Sequence, residues 1–141
     1  MAGKELDNKL VVAVRIRGRV GVRSDTAETL DRLRLGKPNA CALIRMNDSY
    51  TGMLKKCNNY VEYGEIDNAT LEKLLSKHAS GIDAKAVMDG SYPMQDLRKS
   101  MPFMLHAPRH GYRRSIKRGY AQGGSLGYAG AKVNELINRM V

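Results

Sequence analysis

Residues 9–46 read KLVVAVRIRGRVGVRSDTAETLDRLRLGKPNACALIRM, and the changes of apolar period inside this stretch decide the fold. Over 9–17 the period is two: Val12, Val14 and Ile16 fall on one face of an extended segment, and Val11, Ala13, Arg15 and Arg17 on the other. Gly18, Arg19, Val20 and Gly21 form a turn. The period then becomes helical, with Ala27, Leu30 and Leu33 as the apolar stripe. Asp25, three residues before Glu28, predicts a capping box with Asp in the Ser/Thr position. Gly36 and Pro38 predict the helix stop. Period two returns over 41–47, where Ala42, Ile44 and Met46 alternate with Leu43 and Arg45.

The same alternation continues outward. Asn47, Asp48 and Ser49 are suitable N-caps for a second helix, whose apolar positions Tyr50, Met53, Leu54 and Cys57 have i, i+3, i+4, i+7 spacing. Residues 60–66 read as a third strand. The order β-α-β-α-β, with each strand alternating rather than wholly apolar, predicts an α+β fold with helices on one face of the sheet.

Beyond Asp67, the stripe Leu71, Leu74, Leu75 and His78 predicts a helix over 68–79, closed by Gly81. Pro93 suits the first turn of a short helix, and 103–105 reads as a short strand. Residues 107–130 are Gly-rich and basic with neither period, which predicts a loop. Val133, Leu136, Ile137 and Met140 predict a closing helix over 131–140 that docks on the core and pins that loop at both ends. The chain accordingly divides into a core, 1–66, and a C-terminal extension, 67–141.

Charge follows the same division. Residues 97–134 include eight Lys or Arg and no Asp or Glu. Over 1–37 nine cations face five acids, over 38–97 six face eight, and over 98–141 nine face one, within a net charge of +10. A generally basic protein would spread its excess; here it is confined to the two ends. One-signed surface repels itself, so such segments predict a polyanionic partner, with nucleic-acid phosphate the first candidate.

The basic loop carries Arg109, Arg113, Arg114, Lys117 and Arg118, with His110, Tyr112 and Tyr120 interleaved. Arginine grips phosphate with two parallel hydrogen bonds and tyrosine can stack on an unpaired base, so this pattern points to RNA. A second candidate group is Arg15, Arg17, Arg19 and Arg23 on the first strand and turn, where Arg15 and Arg17 share a face that could also be an ordinary exposed sheet surface. Arg32, Arg34 and Lys37 close the first helix, where cations also complement the helix dipole. Lys55 and Lys56 at the end of the second helix complete the predicted RNA-binding set.

Other chemistry finds little support. The turn at 18–21 lacks both the full dinucleotide fingerprint and a Walker lysine. His78, His106 and His110 with two distant cysteines have no zinc spacing, and Ser125 in GGSLG has no nucleophile signature. These readings predict no enzyme activity, cofactor, metal or small-molecule substrate. Cys41 and Cys57 are too few and too separated for a disulfide framework, which suits a reducing compartment. With no apolar run of membrane-spanning length, the expected location is the cytoplasm.

Several ordered segments resemble a known family. VVAVRIRGRVGV, TLDRLRLGKPNACALIR, SYTGMLKKCNNYVEYGEID, and LHAPRHGYRRSIKRGY through GGSLGYAG to VNELINRM are similar, over essentially the whole chain, to the archaeal branch of the universal large-subunit ribosomal protein family L-thirty. Tyr63 departs from it, standing where Trp is common. The resemblance implies a ferredoxin-like core, a three-stranded antiparallel sheet with two helices on one face, and a C-terminal extension. It implies a structural, non-enzymatic role in the large ribosomal subunit, with large-subunit rRNA, 5S rRNA nearby and neighbouring ribosomal proteins as partners. The alternatives are a non-ribosomal RNA-binding module and a small ferredoxin-like ligand-binding regulator using the turn at 18–21.

Overall fold

A computed structural model of the protein describes residues 9–18, 21–78, 82–89, 103–106, 108, 115–119 and 124–140. In chain order its elements are β1 (Leu10–Arg15), α1 (Ser24–Arg32), β2 (Ala40–Arg45), α2 (Asp48–Lys56), β3 (Val61–Glu65), α3 (Asn68–His78) and α4 (Ala84–Asp89). There follow β4 (Phe103–Met104), β5 (Ser115–Gly119), β6 (Gly124–Tyr128), a 3₁₀ turn (Gly130–Lys132) and α5 (Val133–Met140). The β-α-β-α-β order is the one the periods predict. β1 lies between β2 and β3 and is antiparallel to both, with Val12 opposite Leu43 on one side and Gly64 on the other.

The sheet is wider than the three strands expected. Among the described residues it has six, in the order β4-β2-β1-β3-β6-β5. β4 adds antiparallel to β2, whereas β6 adds parallel to β3 and β5 parallel to β6, so the sheet is mixed. Residues 107–130 are therefore not a loop throughout. The period was illegible because SIKRG and GSLGY each offer only one or two apolar residues among glycines and polar groups.

Helices on one face only is also corrected. Every residue of β1 is buried, and Val11, Val12, Ala13 and Val14 are fully so. Arg45 pairs with Leu10, five residues from Arg15, so the two arginines lie on opposite faces of the pleat. Arg45 Nη2 donates to the Val87 carbonyl in α4 (2.6 Å), while Arg15 Nη1 donates to the Leu35 carbonyl beyond α1 (2.9 Å). Gly64, opposite Val12, shares the Arg45 face and abuts the 3₁₀ turn there. Elements of the C-terminal region thus cover the Val12–Gly64 face, while the chain beyond α1 reaches Arg15 on the other, so neither face is left open to water. α4 had escaped notice because six residues burying only Ala84 and Val87 make too short a stripe.

The ends of α1 differ from prediction in instructive ways. The helix starts at Ser24 after an extended Arg23 with no side-chain cap, so Asp25 lies within the first turn and accepts from the Thr26 N–H (2.8 Å). No capping box forms, because the box needs Asp25 outside the helix. At the other end Arg34 N–H donates to Asp31 O (3.0 Å) and Leu35 N–H to Leu30 O (2.8 Å), a Schellman closure. Arg34, not Gly36, takes the left-handed position, with φ of 64°. The burial of Leu30 and Leu35, both at 0 % exposure, sets this exit.

The Asn47 cap and the closing helix act as read, and Asp67 supplies a further cap. Asn47 Oδ1 accepts from Tyr50 N–H at the start of α2 (2.9 Å), and Asp67 Oδ1 from Thr70 N–H at the start of α3 (2.8 Å). Val133, Leu136, Ile137 and Met140 are all buried. One continuous core contains Leu30, Leu54 and Val61 together with Leu71, Val87, Phe103 and Ile137, joining both parts of the chain. The expected stop at Gly81 and the short helix from Pro93 lie outside the described residues.

Candidate nucleic-acid interface

The C-terminal end of β1 gathers cations from segments distant in sequence. Ile16 and Arg17 N–H both donate to Tyr60 O (2.9 and 3.3 Å), and Asn39 N–H donates to Arg15 O (2.8 Å), so the start of β2 and the start of β3 flank this end. Leu105 N–H donates to Asn39 O (3.1 Å), which brings the exit of β4 here. Gly127 pairs with Glu62, and Gly124 with Ser115, so β5 lies at this end too, carrying Lys117 and Arg118 on its backbone. The acid-free segment therefore leaves the sheet beside Asn39 and re-enters it at Ser115, on the opposite edge of the same end.

The helical layer adds its share. Asp25 Oδ1 is 3.6 Å from Arg23 Nε, and its Oδ2 is 3.7 Å from Lys56 Nζ, so the start of α1 and the end of α2 lie together. Hydrogen bonding from Thr26 N–H holds the Asp25 carboxyl below its ordinary pKa, with Arg23 and Lys56 adding to the effect against some desolvation. Arg23, Lys37, Lys55 and Lys56 are exposed, and the Arg23 side chain is 84 % so. Arg17 is half-buried, its guanidinium 5.5 Å from the Tyr60 ring centre in a cation–π contact. Tyr60 was missed as a site residue: the contact depends on the β1–β3 register, which no local pattern reveals.

Arg15 is placed differently from the expectation. It is 3 % exposed, and its guanidinium donates to Arg17 O (3.0 Å), Gly18 O (3.3 Å) and Leu35 O (2.9 Å). A group so enclosed does not present itself to phosphate. Its neighbours on the same sheet face are covered as well, so the alternation that put Arg15 beside Arg17 did not put both in water.

Arg32 and Arg34 lie apart from the gathering at the end of β1. With Asp31, Asn47, Ser49, Tyr50 and Met53 they line an open groove of about 620 Å³ between the end of α1 and the start of α2. Arg32 also pairs with Glu28 one turn earlier (2.8 Å). Arg19, Arg109, His110, Tyr112, Arg113 and Arg114 lie outside the described residues.

The metal-ligating residue types and the cysteines can be placed among the described residues. No group of three or more His, Cys, Asp or Glu there could hold a metal ion. Cys41 and Cys57 are free and buried; desolvation pushes the Cys57 thiol up to about 11 and Cys41 further, so neither is a thiolate at neutral pH. No helix among the described residues is long and apolar enough to cross a membrane.

The described residues form a mixed α+β sheet with exposed basic side chains gathered at one end. Residues 11–61 match the family model of ribosomal protein L30p/L7e. The chain is 42 % identical to the large ribosomal subunit protein uL30 of Methanococcus vannielii, over 91 % of this chain and 97 % of that one. It is 34 % identical to the uL30 proteins of Thermoplasma acidophilum and Nanoarchaeum equitans, in each case over 94 % of this chain. The chain belongs to this family of large-subunit ribosomal proteins.

Proposed function

We propose that the protein is a structural constituent of the large ribosomal subunit that binds large-subunit rRNA, close to 5S rRNA, and holds separate rRNA segments together. The observation carrying this reading is the convergence at one end of the sheet. The turn after β1, the loop before β2, the end of α2 and the flanks of the acid-free segment all arrive there. In this reading residues 1–66 form a ferredoxin-like RNA-binding core, and 67–141 an extension that carries the second set of cations.

Arg17, Arg19, Arg23, Lys37, Lys55 and Lys56 meet phosphates from the core side. Arg109, Arg113, Arg114, Lys117 and Arg118 meet them from the extension, with His110 and Tyr112 beside them. Arg32 and Arg34 contact RNA from the groove between α1 and α2. Each neutralised phosphate releases condensed counterions, so binding is favourable at low salt and weakens predictably as salt rises. Neighbouring ribosomal proteins would meet the surfaces that RNA leaves free.

The direct test is binding to a full-length large-subunit rRNA transcript as a function of salt. With about eight phosphates neutralised, log affinity falls against log salt with a slope of roughly −6 to −7. Arg113→Ala with Arg114→Ala should weaken binding and leave the protein's melting temperature unchanged. A wild-type slope near −1 refutes the electrostatic reading. In cell extracts, migration exclusively with large subunits on a sucrose gradient supports the ribosomal placement, and free migration argues against it.

A further inference from the structure

We infer that Arg15 is a positioning residue for the RNA-binding surface: its buried guanidinium ties the β1–α1 turn to the α1–β2 loop and holds Arg17 and Lys37 in one array. The inference rests on the RNA-binding reading above. It starts from an oddity of the structure, that a cation in the most basic part of the core is turned inward.

The geometry is that of a three-way tie. Nε donates to Arg17 O (3.0 Å) and Nη2 to Gly18 O (3.3 Å), both in the turn. Nη1 donates to Leu35 O (2.9 Å), twenty residues away in the loop. The backbone of the same residue adds a fourth link, since Arg15 O accepts from Asn39 N–H (2.8 Å). Lys37 thus lies in a short span held at Leu35 and at Asn39. Arg17 is held through its own carbonyl, and by Tyr60 through its N–H and its guanidinium.

The tie also explains the backbone at Arg34. Leu35 is held on its carbonyl by Arg15 and on its N–H by Leu30 O, so the residue before it has little choice of conformation. A left-handed non-glycine residue persists where the surroundings over-determine it. Only a planar guanidinium offers rigid donors in several directions at once; a lysine ammonium is a compact charge on a flexible stem. The carbonyl oxygens of Arg17, Gly18 and Leu35 accept from the buried charge and help to satisfy it.

Lysine substitution separates the two possible roles, because it keeps the charge and removes the fork. If Arg15 touched phosphate directly, Arg15→Lys would leave the salt slope nearly unchanged, and even complete loss of one contact would flatten it by no more than about 0.9. Release of both Arg17 and Lys37 flattens it by roughly 1.4–1.8. The experiment measures that slope for wild type and Arg15→Lys on the full-length large-subunit rRNA transcript, with circular dichroism to establish folding. A flattening greater than about 0.9 supports the inference, and a smaller one overturns it.

Should the variant not fold, arginine modification of the wild-type chain decides instead. With phenylglyoxal and peptide mass spectrometry, Arg15 should stay unmodified in the free protein while Arg34 reacts. Modification of Arg15 in the free protein, suppressed by RNA, would overturn the inference. A wild-type slope near −1 would remove the RNA reading itself, and the inference with it, which distinguishes that failure from a failure of Arg15 alone.

Discussion

Gly64 in β3 and Gly130 in the 3₁₀ turn meet backbone to backbone: a Cβ on Gly64 would overlap the Gly130 carbonyl oxygen. Gly64 sits opposite Val12 in the middle of the sheet, so the approach to α5 is seated directly on the core. Neither partner is a flexible side chain that could swing away. Gly64→Ala should therefore lower the unfolding free energy by about 1–3 kcal/mol, measured by urea denaturation. Gly52, in α2 with nothing within 4 Å of a built Cβ, is the matched control. Gly52→Ala should raise stability by roughly 0.8–1 kcal/mol through helix propensity. Equal, unchanged stability in both variants would show that the turn is not seated on β3.

Arg34 holds a left-handed conformation (φ 64°) that costs a non-glycine residue roughly 1–2 kcal/mol. Arg34→Gly should consequently raise stability by about 1 kcal/mol. The same variant loses one cation beside the α1–α2 groove, and RNA affinity should fall with a salt slope flatter by up to about 0.9. A more stable protein that binds RNA less well is the expected pair of results. Lower stability would mean that the Arg34 side chain contributes packing that outweighs its backbone strain.

Asn134 is 7 % exposed and joins α5 to the end of β3: its Oδ1 accepts from Asp67 N–H (3.0 Å), and its Nδ2 donates to Glu65 O (3.1 Å). Asn134→Ala leaves both backbone groups without this partner. A thermal or chemical melt should show a loss of about 1–3 kcal/mol. Hydrogen exchange should quicken at the Asp67 amide before it does in β1. Uniform quickening across the sheet would instead point to a global rather than a local loss.

The Asp25 carboxyl is held below its ordinary value of 3.8, first by Thr26 N–H and then by Arg23 and Lys56. A depressed carboxylate stabilises the fold fully above its unfolded pKa, and that contribution disappears as pH falls through the lower folded value. Asp25→Asn should therefore flatten the stability profile below about pH 4 and change its shape little near neutrality. It also removes an acid from beside Arg23 and Lys56, so RNA binding at neutral pH should tighten. An acid limb identical to wild type would show that Asp25 makes no such contribution.

Asn47, the closing helix and Arg15 differ in how far neighbouring residues reveal them. Asn47 could be named as a cap from its neighbours alone, since a cap is a relation across three residues. The closing helix was equally readable, because Val133, Leu136, Ile137 and Met140 carry their period within two turns. The inward Arg15 was not. Its alternation with Val14 and Ile16 is the same whether its face is wet or covered, and its cover comes from Leu35 and beyond.

Local period and the sign of charge are relations between neighbours along the chain. They were enough to order β1, α1, β2, α2 and β3, to anticipate α5, and to set the acid-free segment apart from the rest of the chain. The pairing of β6 with β3, the seat of Gly130 on Gly64 and the division of the arginines into exposed and enclosed depend on residues up to about seventy positions apart. Such contacts arise only when strands choose their register and both faces of β1 are covered. That choice enclosed Arg15 at the end of β1, beside the exposed Arg23, Lys37 and Lys56.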